Sequence, residues 1–278
     1  MPTRRALAIG LVAALACRPA TPRATVALPP PIFTVTAREY AFDAPDTIPS
    51  GPTTIRLISR GREEHFVQLM RITSPHTLDE FRRTLTAPAP APWVTTVGGV
   101  GTLEPGGTAT TTVDLAPGFY AMLCDMEDPH GRPHFLDGMV RGLVVTPDRN
   151  GATMPAADAA VDLVDYAFVL ASPLPPGDHR IEVRNRGRQD HMVLVWRLHP
   201  GKSAGDVVHW MTTPSDTGPA PVTLLGGTPD VPQGDSAQLV MRLDPGRYLL
   251  ICLVDDVRDH KPHFVHGMFR EITVGATS

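Results

Sequence analysis

Cysteine is scarce: three residues in 278, at positions 17, 124 and 252. A scaffold held together by disulfides needs more than that. Positive charge is not in excess, since the formal net charge is -4. No basic stripe is present, and nucleic acid is not an expected partner. The apolar run near the N-terminus, Ala6 to Ala16, holds eleven residues. A permanent membrane helix needs about 20. Apolar residues, by contrast, make up 42% of the chain, enough to build cores. Proline (30) and glycine (24) are plentiful and spread throughout. That punctuation favours short strands and turns over long helices. The length suits two domains of roughly 100–150 residues each.

The N-terminus reads as an export signal over residues 1–16. Arg4 and Arg5 supply a positive start, Ala6 to Ala16 the apolar stretch, and Ala14-Leu15-Ala16 a small-residue cleavage site. Cys17 follows at once, and the arrangement resembles the lipobox of bacterial lipoproteins. The resemblance implies lipidation at Cys17, a membrane contact through that anchor, and a periplasmic or cell-envelope location. Ala14 stands where a large aliphatic residue is usual, and plain secretion is the alternative. Residues 17–32, rich in Pro and Ala, are expected to be a tether. Cys124 and Cys252 then remain, in equivalent places of two repeats, where a disulfide between them is not expected. An exported thiol left unpaired is either buried and inert or held by a metal.

Self-comparison organises the rest. Tyr40-Ala41-Phe42 recurs as Tyr166-Ala167-Phe168, and Arg60-Gly61-Arg62 with His65 as Arg186-Gly187-Arg188 with His191. Gly98-Gly99 recurs as Gly226-Gly227. Pro117-Gly118 with Tyr120 and Cys124 recurs as Pro245-Gly246 with Tyr248 and Cys252. Pro133-His134-Phe135 with Gly138-Met139 recurs as Pro262-His263-Phe264 with Gly267-Met268. The offset drifts only from 126 residues (Tyr40 to Tyr166) to 129 (His134 to His263). A whole domain has been duplicated. The expected boundaries are 33–147 for domain 1, 148–160 for a linker and 161–274 for domain 2.

Period-two alternation predicts strands at Thr54–Ile58, Arg180–Val183, Ala109–Leu115 and Ala237–Leu243. Apolar runs predict buried strands at His65–Ile72 and His191–Leu198. Thr77–Leu85 and Ser203–Met211 have helical spacing. The expected fold is all-β: two tandem Greek-key β-sandwich domains, each with a short inserted helix.

Three strings of residues resemble the cupredoxin family, the blue-copper fold of plastocyanin and its relatives. Asn185-Arg186-Gly187 leads to His191, with Ser59 replacing the Asn in domain 1. Gly118, Tyr120 and Cys124 have the spacing Gly-x-Tyr-x-x-x-Cys, as do Gly246, Tyr248 and Cys252. His134 to Met139 and His263 to Met268 read His-x-x-x-Gly-Met. The resemblance covers nearly all of both domains. It implies one copper per domain, held by His65, Cys124, His134 and Met139 in the first and by His191, Cys252, His263 and Met268 in the second. Two imidazoles, a thiolate and a weak thioether suit both Cu(I) and Cu(II). Nine residues separate Cys124 from His134 and ten separate Cys252 from His263. Small electron carriers of the family use a shorter loop, and the longer one resembles the blue site of copper nitrite reductases. His130 and His260 lie inside these loops and are alternative ligands.

Catalysis is not expected. In the oxidases and reductases of the family, a histidine beside the blue-site cysteine leads to a catalytic copper. Here the neighbours are Leu123 and Asp125, and Ile251 and Leu253. No His-x-His pair is present for a trinuclear cluster. One-electron transfer is the leading expectation, with a redox partner protein docking near the ligand histidines, where Phe135 and Phe264 offer either a patch or core packing. Copper storage or delivery, with a copper donor or acceptor as partner, is the second reading. A metal-free binding module is the third, with the runs Asp125–His130 and Asp255–His260 as binding loops or plain solvated turns. An oligomer is compatible with all three.

Overall fold

The computed structural model describes residues 28–87, 90–213 and 218–275. The expected signal segment, the expected lipidation site at Cys17 and most of the expected tether lie outside them. Among the described residues, no helix is long and apolar enough to cross a membrane.

The first half contains β1 (Ile32–Arg38), β2 (Ala41–Asp43), β3 (Thr47–Ser59), β4 (His65–Ile72), α1 (Leu78–Thr84), β5 (Val94–Leu103), β6 (Thr108–Leu115), β7 (Gly118–Leu123) and β8 (Val140–Arg149). The second repeats the series as β9 (Ala159–Val164), β10 (Ala167–Leu170), β11 (Gly177–Asn185), β12 (His191–Leu198), α2 (Ala204–Thr212), β13 (Val222–Val231), β14 (Ser236–Leu243), β15 (Gly246–Ile251) and β16 (Phe269–Val274). β8 runs to Arg149 and β9 begins at Ala159, so the segment between strands is shorter than the 148–160 expected for the linker.

Each half is a two-layer sandwich. In the first, β4 pairs with β5 and β7, and β7 with β8, all antiparallel. β3 serves both layers: Thr47 to Ser50 run beside β8, while Gly51 to Ile58 pair with β6. Alternation puts Val35, Ile55, Leu57, Val67 and Leu69 inside, each fully buried. Each such side chain contributes roughly 1.5–3 kcal/mol. The helices lie outside the sandwich. α1 buries Phe81 against Ile72, Ala121, Leu123 and Val140, and α2 buries Val207 against Trp196, Leu249 and Ile251. Both start with a capping box, Thr77 with Glu80 and Ser203 with Asp206. Tyr120 and Tyr248 lock the turn before each cysteine strand, donating from the hydroxyl to Ala116 O and Asp244 O, each at 2.7 Å.

Equivalent strands of the two halves meet. β6 pairs antiparallel with β14, and the equivalent residues Thr111 and Leu239 stand opposite each other. The duplicated units are thus related by a local two-fold, with the outer layer continuous from β2 to β10. The inner layers touch at Leu103 and Leu225, and Gln68 Oε1 accepts from the backbone N–H of Asp230 at 3.0 Å. Beside this seam is a cavity of about 340 Å³ lined by Phe66, Met126 and Asp125 from one half and Met192, Val254 and Asp230 from the other.

Burial, reinforced by the charges of Asp125, Asp190 and Asp255, pushes the Asp230 carboxyl up to about 7. An acid whose folded pKa is raised favours folding where it stays protonated. Stability is therefore lost as pH rises from about 4, where the unfolded chain ionises, to about 7. Asp230→Asn is expected to raise stability by roughly 2 kcal/mol at pH 8, allowing for the water that reaches the cavity, and to change little at pH 4. Urea unfolding at the two pH values checks this.

Candidate metal centres

The antiparallel order of β4, β7 and β8 fixes where chemistry can gather. The start of β4, the end of β7 and the start of β8 share one end of the sandwich, so His65, Cys124 and the His134–Met139 loop meet there. β12, β15 and β16 do the same for His191, Cys252 and the His263–Met268 loop. In each loop a single 3-10 turn carries the second histidine, His134–Asp137 and His263–His266. The methionine then returns beside the cysteine, whose backbone N–H donates to Met139 O at 3.3 Å in one half and to Met268 O at 3.1 Å in the other.

His65, Cys124 and His134 each offer a ligand atom within 4.8 Å of the others, and so do His191, Cys252 and His263. All six residues are fully buried, as are Met139 and Met268. Cys124 Sγ lies 3.6 Å from His134 Nδ1. Cys252 Sγ lies 3.4 Å from His263 Nδ1 and 4.0 Å from His191 Nδ1. His130 and His260 are exposed and belong to neither group. Both cysteines are free thiols.

Carboxylates behind the imidazoles decide which nitrogen faces inward. Glu63 Oε2 sits 2.9 Å from His134 Nε2 and Asp165 Oδ1 3.2 Å from His191 Nε2. Glu39 and Asp256 stand 3.9 Å from His65 Nε2 and His263 Nε2. An ionised carboxylate only accepts, so Glu63 and Asp165 hold the proton on Nε2 of His134 and His191 and leave their Nδ1 lone pairs facing inward. The 3.9 Å contacts of Glu39 and Asp256 are too long for a hydrogen bond. In the second half this points the His191 Nδ1 lone pair at His263 Nδ1, only 3.0 Å away. In the first, both ring nitrogens of His65 are buried with no hydrogen-bond partner, as is His263 Nε2 in the second. A buried imidazole nitrogen without a partner is relieved by a cation, and a cation also suits sulfur and ring nitrogens drawn this close together. The donor set therefore fits one soft-to-borderline metal ion in each group.

Burial pushes the Cys124 and Cys252 thiols up to about 12, against the pull of the Phe66 and Met126 amides on the first and of Met192 and Val254 on the second. Desolvation likewise lowers His263 to about 4 and His191 below the ordinary histidine range. The imidazoles of His191 and His263 are thus ready as neutral ligands near neutral pH, while each thiol must give up its proton to an incoming ion.

The repeated Arg-Gly-Arg now has a reason. A Cβ on Gly61 would stand 2.5 Å from His65 Nε2, and one on Gly187 would stand 2.6 Å from Asp165 Oδ1 and equally foul His191 Nε2. The turn must be glycine to lie against the ligand. Gly61→Ala and Gly187→Ala are expected to weaken metal binding at their own site about 10–100-fold, the scale of a disturbed supporting contact. Competition with a chelator measures this.

Burial decides several readings that the sequence left open. Phe264 is buried in the core and Phe135 packs half-buried against the α1 cluster, so neither forms an outward patch. The exposed apolar residues are their neighbours Leu136 and Val265, at 41% and 47%. The run Asp255–His260 is not a plain solvated turn, because Asp256 is fully buried and bonded to Tyr166, Gln189 and Arg258. The supporting acids Glu39, Glu63, Asp165 and Asp256 were not recognised from sequence. Glu39 and Asp165 could have been, since each directly precedes the repeated Tyr-Ala-Phe.

No protein-family model matches the chain, and no curated protein matches it. Among solved structures it is similar to auracyanin from Roseiflexus castenholzii, with 21% identity over 42% of this chain and 97% of that one, at a TM-score of 0.29. It is also similar to the copper-containing nitrite reductase of Thermus scotoductus SA-01, with 14% identity over 88% of this chain and 62% of that one, TM-score 0.26. A third is the copper nitrite reductase of Nitrosomonas europaea, with 15% identity over 89% and 94% and TM-score 0.26. At such scores these likenesses carry no weight for function. The cupredoxin-like layout is visible in the chain itself: a histidine opening one strand, a cysteine closing its antiparallel neighbour, and a His-Met loop entering the next.

Proposed function

We propose that this chain is an exported copper protein with one mononuclear, type 1-like centre in each half, passing single electrons between partner proteins. His65, Cys124, His134 and Met139 would hold the first ion, and His191, Cys252, His263 and Met268 the second. One observation carries the reading. In each half a thiol and two imidazole nitrogens converge in a fully buried cluster, and among the described residues nothing else satisfies the ring nitrogens of His65.

Bound copper supplies a one-electron couple that mixed sulfur and nitrogen donors serve in both states. The chain's own part is to hold the donors still and to keep water out. Backbone amides of Phe66 and Met126, or Met192 and Val254, point at the sulfur and stabilise its ionised form. Glu63 and Asp165 fix the tautomers and orientations of His134 and His191. The Tyr40 ring leans on His134 at 4.9 Å between centroids, and the Tyr166 ring meets His263 edge-on at 5.5 Å, roofing the outer edges.

Full burial of all six donors opposes the storage and delivery reading, which needs exchangeable metal at an accessible site. Solved structures of similar fold include enzymes by name. Catalysis stays outside the proposal because no histidine flanks Cys124 or Cys252. Export, the lipid anchor at Cys17 and the partner protein belong to the proposal through the sequence alone. Titrating the reduced apoprotein with Cu(II) tests it. An intense visible thiolate-to-copper band saturating at two equivalents supports the reading, and absence of colour or uptake contradicts it.

A further inference from the structure

The two centres have the same donors but not the same charges around them. In the first half, Glu39 and Glu63 back the imidazoles of His65 and His134. Glu39 is held by the backbone amides of Arg62 and Glu63, and Glu63 by the Tyr40 hydroxyl at 3.3 Å. These partners are neutral. Among the described residues no arginine or lysine side chain forms an ion pair with either acid. Of the nearby guanidinium groups, Arg132 is engaged with Asp137 at 2.8 Å, and Arg60 and Arg62, in the turn against His65, form no ion pair with Glu39 or Glu63 among the described residues.

In the second half both acids are compensated. Asp165 faces His191 and binds Arg188 Nε at 2.8 Å. Asp256 faces His263 and binds Arg258 Nε at 3.0 Å, with the Arg258 guanidinium also lying 5.5 Å from the Tyr166 ring centroid. The immediate surroundings therefore carry two uncompensated negative charges in the first half and a balance of two against two in the second.

Negative charge beside a metal favours its higher oxidation state, because each positive charge on the ion is attracted more strongly. We propose that the two centres are electronically unequal: Glu39 and Glu63 hold the first at a lower reduction potential than the second, where Arg188 and Arg258 offset Asp165 and Asp256. A single electron given to the protein then resides mainly in the second half. This rests on the copper reading above and goes beyond it, since a duplicated electron carrier needs no inequality. Even at the dielectric of bulk water, the weakest case, two unit charges roughly 6 Å away change a one-electron equilibrium about tenfold. Tenfold corresponds to 59 mV for a one-electron couple.

The test is a spectroelectrochemical titration of the full copper-loaded chain, after metal analysis has established two coppers per molecule. Two one-electron waves about 59 mV apart or more are expected. Glu39→Gln with Glu63→Gln should raise the lower wave by about tenfold in reduced-to-oxidised ratio and leave the upper one in place. Arg188→Gln with Arg258→Gln should lower only the upper wave. Glu63→Gln alone, read by the same waves, serves if the first pair fails to fold. Two coppers titrating as one wave, or glutamate variants that move the upper wave instead, overturn the inference while leaving the copper reading intact. Fewer than two coppers per molecule overturns both.

Discussion

Replacing Cys124 and Cys252 together by serine is expected to abolish the visible thiolate-to-copper absorption, and either change alone to halve it. The cause is chemical, not steric. Serine fills nearly the same space and its hydroxyl can take up the amide hydrogen bonds now aimed at sulfur. Both cysteines are fully buried in tightly packed surroundings, so stability changes by only about 1–2 kcal/mol. A hydroxyl oxygen, however, is hard, stays protonated and has no high-lying sulfur electrons to donate, so it cannot replace a thiolate as copper ligand. Affinity at the altered site should fall more than ~100-fold, beyond what loss of a supporting contact does. A single variant with undiminished colour would mean that only the other half binds copper.

Gly99→Ala or Gly227→Ala is expected to cost at least ~4 kcal/mol, an effect rare for so small a change. Both glycines have positive φ, +150° and +141°, and sit where β5 and β13 bulge against β4 and β12. A Cβ at Gly99 would overlap Val67 O, and one at Gly227 would overlap Val193 O. Those atoms belong to backbone inside the sheet and cannot swing aside. Gly106 is the control: its φ is +82°, but nothing lies within 4 Å of the added atom. Gly106→Ala should cost only about 1–2 kcal/mol. Chemical denaturation of the three variants compares them directly.

The duplication made much of this legible before any coordinates. Ligands at fixed spacing within one loop, as in His134 to Met139, form a local string that a repeat search finds, and the strands His65–Ile72 and His191–Leu198 coincide with apolar runs. The supporting shell was harder. Glu39 and Asp165 occupy equivalent positions, but Glu63 lies in the turn before β4 while Asp256 lies in the loop after β15. One role is filled from two unrelated places in the chain, and alignment of the halves cannot pair them. The seam was invisible for a related reason. Thr111 facing Leu239 is a contact between copies of one position, and a repeat comparison superposes such residues without showing that they touch. Phe264 in the core and Val265 outside followed from the 3-10 turn, whose sense has no apolar period to betray it.

Anomalous diffraction at the copper edge from crystals of the copper-loaded chain would show directly where the metal lies. Two peaks are predicted, one among His65 Nδ1, Cys124 Sγ and His134 Nδ1 and one among His191 Nδ1, Cys252 Sγ and His263 Nδ1. Empty pockets, with copper only at surface groups such as His130 or His260, would contradict the assignment.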